Sequence, residues 1–62
     1  MKVNVKIAIF SHLSDAQALI GLGSKENAIK EINYAKRLIH HYSKDLNAVV
    51  DESELTDVCL GK

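Results

Sequence analysis

The residue types of a catalytic triad occur close together at Ser11, His12 and Asp15. A triad requires a nucleophile, a base and an acid that converge in space, with the acid orienting the base. Because sequence neighbours around one helix start rarely converge in this way, we interpret these residues as helix-capping residues. Cys59 has no obvious activating partner and is interpreted as a small buried apolar side chain. We therefore expect no catalytic residues and no enzyme activity.

Two further patterns could hold a ligand. Residues 21–25, Gly-Leu-Gly-Ser-Lys, lack the third glycine of a dinucleotide motif and the Gly-Lys-Ser/Thr order of a P-loop, and they follow a predicted helix where both motifs follow a strand. His41 and Asp45 are four residues apart and offer two metal ligands, which are too few for a site. The adjacent His40 points about 100° away from His41 on a helix. We expect no cofactor and no metal.

The length of the chain limits it to one small domain, residues 1–62. A chain of this size buries only about 60% of the surface that its unfolded form exposes. A single cysteine excludes a disulfide within the chain, and only Phe10, Tyr34 and Tyr42 are aromatic, so the core must be aliphatic. Small domains without disulfides or a metal commonly gain stability by association. We therefore expect a homo-oligomer, most simply a homodimer.

Charge and hydropathy narrow the class of protein. Residues 1–44 carry seven basic and three acidic side chains, whereas residues 45–62 carry one basic and five acidic side chains, so the net charge is zero but segregated. Residues 1–10 lack the continuous apolar stretch of a signal peptide, and no apolar run approaches the roughly 20 residues of a membrane span. With one thiol in addition, we expect a cytoplasmic protein with no membrane segment.

The first element that would position these residues is a β-strand. Polar and apolar side chains alternate over residues 2–10, and this pattern predicts the strand. Leu13, Ala16, Leu19 and Ile20 lie at helical spacing and predict a helix over 12–21, with Ser11 or Ser14 as its cap. A turn at Gly21–Ser24 then leads into a second helix over 24–44, which could extend to 50. Its apolar stripe is the strongest periodic signal in the chain. The predicted core and self-association residues are, on the strand, Val3, Val5, Ile7 and Ile9, and, on the second helix, Ala28, Ile32, Ala35, Ile39 and Tyr42.

The C-terminal third is open to two interpretations. Residues 46–50 either prolong the second helix or form a short strand beside 2–10. Residues 51–62 form an acidic tail, in which 53–60 could be a short helix. The expected fold class is thus small and mostly α: an N-terminal strand, a helical hairpin, and a short C-terminal helix or extended tail. The strand could pair within the chain or with the strand of a second copy.

The order strand, helix, turn, helix resembles the ribbon-helix-helix DNA-binding family. The closest likeness is residues 24–31, Ser-Lys-Glu-Asn-Ala-Ile-Lys-Glu, which look like the start of that family's second helix. The resemblance implies that two chains pair their strands in the major groove of DNA. By this likeness Lys2, Asn4 and Lys6 would read bases, and Ser24 and Lys25 would hold a phosphate.

Residues 18–23, followed by Ala28, Ile32 and Ala35, are similar to the middle of a tetratricopeptide repeat. One such unit supports a helical hairpin more than a peptide-binding array, because repeats of this kind need about three copies for stability. Our leading hypothesis is a small noncatalytic protein-interaction or regulatory module that self-associates and docks an unidentified protein partner. The alternative hypothesis is a ribbon-helix-helix transcriptional regulator that binds DNA.

Overall fold

The computed structural model describes residues 1–61, so Lys62, the last residue of the predicted acidic tail, lies outside the described residues. The elements are β1 (Lys2–Asn4), α1 (Val5–Gly21), α2 (Lys25–His41), β2 (Val49–Asp51) and α3 (Glu52–Cys59). The fold class expected from the sequence, mostly α with an N-terminal strand and a helical hairpin, is confirmed.

The predicted strand over 2–10 is wrong beyond Asn4, because α1 begins at Val5. The Asn4 side chain caps this helix by accepting a hydrogen bond from the backbone N–H of Ile7. The alternating run also contains a helical stripe, since Val5 and Ile9 are four residues apart and Ala16 follows seven residues later. All three are buried. Tertiary burial of this stripe outweighs the preference of β-branched residues for strands.

The hairpin turn has the residues that the sequence predicts. α1 ends at Gly21, and Gly23 adopts a φ of +81°, a left-handed conformation that glycine enters at little cost. Ser24 occupies the cap position of α2, although its hydroxyl makes no capping hydrogen bond to the backbone. It instead accepts a hydrogen bond from the side-chain amide of Asn27. The second helix ends at His41, short of the predicted 44 or 50.

The two short strands pair with each other in an antiparallel ladder, with Val3 opposite Val50 at its centre. The ladder continues at both ends, where the Val5 N–H donates to the Ala48 carbonyl and the Glu52 N–H donates to the Met1 carbonyl. Of the two interpretations of the C-terminal third, the strand is therefore the one observed, at 49–51 instead of 46–50. The short helix that follows spans 52–59, one residue earlier than predicted.

The core lies where β1, α1 and α2 meet α3. Its buried members are Val5, Ile9, Ala35, Leu38, Leu55 and Cys59. Val3 and Tyr42 pack against them in half-buried positions, Ile32 is half-buried, and Ala28 is buried. Two predicted core residues are exposed, Ile7 to 65% and Ile39 to 43%. Ile7 is exposed because it lies on a helix and points away from the face shared by Val5 and Ile9.

Candidate functional site

The histidine of α1 links a carboxylate on α2 to the thiol at the end of α3. His12 Nδ1 lies 2.9 Å from Glu31 Oε1, and His12 Nε2 lies 3.8 Å from Cys59 Sγ. A carboxylate only accepts hydrogen bonds, so Nδ1 carries the ring proton that Glu31 accepts. In the neutral ring this leaves Nε2 with a free lone pair, which faces the thiol. Thiol, imidazole and carboxylate thus stand in the order of a nucleophile, a base and an orienting acid.

Each of the three residues is positioned by the apolar stripe of its own helix. His12 follows Ile9 by three residues and precedes Ala16 by four, so it lies on the inward face of α1. Glu31 lies between Ala28 and Ala35 on α2 in the same way. Cys59 follows the buried Leu55 by four residues on α3. The hairpin and the docking of α3 therefore bring together three groups that are far apart in the sequence.

Neighbouring side chains fix the imidazole and the end of α3. The ring of Tyr34 packs edge-to-face with that of His12, with their centroids 5.5 Å apart. The Arg37 guanidinium donates to the Cys59 carbonyl, one of the carbonyls left without a helical partner at the end of α3. Burial and the nearby Glu31 carboxylate raise the pKa of the Cys59 thiol, against the opposing effect of Arg37. The resting group is therefore a thiol that needs a base, not a thiolate.

A groove of about 410 Å³ opens beside the thiol, between the start of α1 and α3. Its walls are mainly apolar, and the polar groups His12, Ser11 and Thr56 also line it. The apolar lining residues include Val3, Ile7, Ala8, Leu55 and Leu60. An apolar groove with a few polar groups beside a nucleophile is the usual form of a small-molecule site.

This site corrects two interpretations of the sequence. Cys59 is buried as expected, at 6% exposure, but it does have a base within reach, which comes from residue 12. Ser11 and Ser14 do not cap α1, because both lie inside a helix whose cap is Asn4. The signal that could have revealed the cluster is the apolar stripe of 5, 9 and 16, since His12 lies on the same face once α1 is extended to Val5.

The residues of the DNA-binding hypothesis are spread over the molecule. Lys2 lies on β1, Asn4 is occupied as the cap of α1 and donates to the Asn47 carbonyl, and Lys6 lies on α1. Ser24 and Lys25 lie beyond the other end of α1, about 25 Å away by the rise of a helix of this length. Lys2, Asn4 and Lys6 would share one face of the predicted strand over 2–10, but they do not do so here, because β1 ends at Asn4.

A second feature lies on the flank of the hairpin that faces away from the groove. Large apolar side chains are exposed there on both helices, and on α1 their spacings of three and seven residues place them on one side of the helix. We call this surface the open face; its residues are Phe10, Leu13 and Ile20 of α1 and Ile29 and Ile39 of α2. Phe10 and Ile20 are exposed to 64% and 60%. Apolar residues thus occupy both flanks of α1.

Comparison with protein families, curated proteins and solved structures finds no match for this chain. Within residues 1–61 no helix has the length and apolar character of a membrane span. The same part of the chain holds no group of three or more His, Cys, Asp or Glu side chains arranged to bind a metal ion.

Proposed function

We propose that this chain is a small noncatalytic protein-interaction module that self-associates as a homodimer through the open face. The observation that carries the proposal is the exposure of Phe10 and Ile20 on a helix whose opposite face already packs in the core. Large apolar side chains grouped on an exposed surface commonly mark a site of protein–protein interaction. Within residues 1–61 α3 covers only one flank, and a second protein surface would cover the other.

A second copy of the chain is the partner that fits this surface best. The chain is short, and the buried hydrophobic residues among positions 1–61 number only eight, three of them alanines. Packing two open faces together would enlarge this small apolar core. The surface would be self-complementary under two-fold symmetry, as in most small homo-oligomers.

Sedimentation velocity over a range of protein concentrations tests the proposal. We expect the unmodified chain to sediment as a dimer at micromolar concentration and Phe10→Ser combined with Ile20→Ser to sediment as a folded monomer. Val49→Thr is the matched control, because Val49 is also exposed, to 57%, but lies on β2 outside the open face. This control should remain dimeric. An unmodified chain that stays monomeric throughout would overturn the proposal.

The ribbon-helix-helix hypothesis stays a prediction with its own test. A DNA-binding protein of that kind would retain DNA at low salt and release it at high salt, because its phosphate contacts displace counterions. Since the five predicted contact residues do not form one surface, we expect no retention in a gel shift at micromolar protein. Retention that Lys2→Ala and Lys6→Ala together abolish would restore the hypothesis.

A further inference from the structure

The Cys59–His12–Glu31 cluster has the groups needed to activate a thiol that is otherwise unreactive. The Cys59 thiol can pass its proton to His12 Nε2 at 3.8 Å, while Glu31 at 2.9 Å holds the ring and balances its charge once it is protonated. The side chains of His12 and Glu31 are only 28% and 21% exposed, so water weakens this pairing less than it would on an open surface.

The environment of the thiol points away from a redox sensor. Such cysteines are exposed and have a lowered pKa, which keeps the thiolate ready to react with an oxidant. Cys59 is 6% exposed, lies at the end of a helix where carbonyls gather, and has a raised pKa because of burial. A thiol of this kind reacts when a base removes its proton during attack on a bound electrophile.

The groove indicates which electrophile would bind there. Its volume of about 410 Å³ suits a small molecule, and its wall beside the thiol is mainly aliphatic. An acyl group with a hydrocarbon chain fits this description, since the chain can lie along the apolar wall with its carbonyl carbon at the sulfur. The Ser11 hydroxyl, which lines the same groove, is a donor available to the carbonyl oxygen.

We propose that Cys59 is an acyl-acceptor site that takes one hydrocarbon acyl group from a thioester, with His12 as the base and Glu31 as its positioning residue. The sulfur of Cys59 attacks the carbonyl carbon as His12 Nε2 takes the thiol proton. The carbon–sulfur bond of the donor then breaks, and the proton passes from His12 to the departing thiol. One thioester replaces another, so the exchange needs neither an oxidant nor an energy source.

The experiment follows the intact mass of the protein during incubation with the octanoyl thioester of N-acetylcysteamine. We expect one octanoyl group per chain, located on Cys59 by peptide mapping, and faster labelling than with the acetyl thioester. His12→Gln should slow the labelling by about 100-fold, and Glu31→Gln should slow it less. His40→Gln is the matched control, since His40 is an exposed residue in the last turn of α2 that does not line the groove, and it should react at the original rate.

Circular dichroism of each variant separates loss of folding from loss of reactivity. A second readout uses the unmodified chain alone: labelling should become faster as the pH rises, because the group that must lose its proton has a raised pKa. Labelling of lysines instead of Cys59, or an unchanged rate in folded His12→Gln, would overturn the proposal. Repeated turnover with release of octanoate would also overturn it, since the site would then be a hydrolase and not an acceptor.

Discussion

On one flank of the hairpin α3 covers Val5, Ile9 and Leu38, whereas on the other flank Phe10, Ile20 and Ile39 remain in contact with solvent. The same two helices supply both flanks, and both flanks are apolar. The difference comes from α3, which has only eight residues and can cover only one side. Burial of an apolar side chain in this hairpin therefore depends on which flank α3 docks against, and not on hydrophobicity alone.

The largest expected effect is a loss of stability, and it distinguishes two adjacent residues of α2. Leu38 is fully buried and Ile39 is 43% exposed. Leu38→Ala should lower the free energy of unfolding by about 2–5 kcal/mol, because it leaves a cavity under α3. Ile39→Ala should cost under about 1 kcal/mol in dilute protein. Denaturant titration measures both, and equal losses would contradict the difference between the flanks.

The same pair of variants also tests the dimer proposal. If the open face is covered by a second copy, the cost of Ile39→Ala should grow with protein concentration, because association stabilises the folded chain by mass action. The cost of Leu38→Ala should be much less sensitive to concentration. If the melting temperature of the unmodified chain does not depend on protein concentration, the open face does not mediate self-association.

A smaller effect is expected at the start of α1. Asn4 caps this helix and also donates to the Asn47 carbonyl, which ties β1 to the loop before β2. Asn4→Ala should therefore lower the stability by about 1 kcal/mol. Ser24→Ala is the matched control, since Ser24 holds the cap position of α2 without a capping hydrogen bond. Chemical denaturation should show a clearly smaller loss for Ser24→Ala than for Asn4→Ala.

The smallest expected effect is on the pH dependence of stability, at the edge of the flank that α3 covers. There the Tyr42 hydroxyl donates a hydrogen bond to Glu54 Oε2 at 2.7 Å. Burial and the Glu54 carboxylate raise the pKa of Tyr42 to about 12. Because the unfolded chain loses this proton near the ordinary value of 10.0, the stabilisation is complete below that pH and is lost as the pH rises toward 12. Tyr42→Phe should remove this part of the pH dependence, measured as melting temperature from about pH 9 to pH 12. Tyr34→Phe should retain it.

Much of the fold could be predicted from the sequence because its signals are local. The stripe of α2, the left-handed glycine at position 23 and the end of α1 at Gly21 depend on residues within a few positions of one another. The start of α1 could not be predicted in this way. Residues 5–10 satisfy both an alternating and a helical pattern, and only the packing of Val5 and Ile9 against α2 and α3 decides between them.

The candidate site could not be predicted from the sequence for a related reason. Helical spacing in the sequence places Glu31 between the buried Ala28 and Ala35, and Cys59 four residues after the buried Leu55. His12 joins their inward faces only because α1 begins at Val5, which the packing decides. The sequence did not determine that these faces meet, because the distance between Cys59 and His12 depends on how α3 docks across the hairpin. Helical periodicity fixes the direction of a side chain from its neighbours, whereas the convergence of residues 47 positions apart is set by the packing of whole elements.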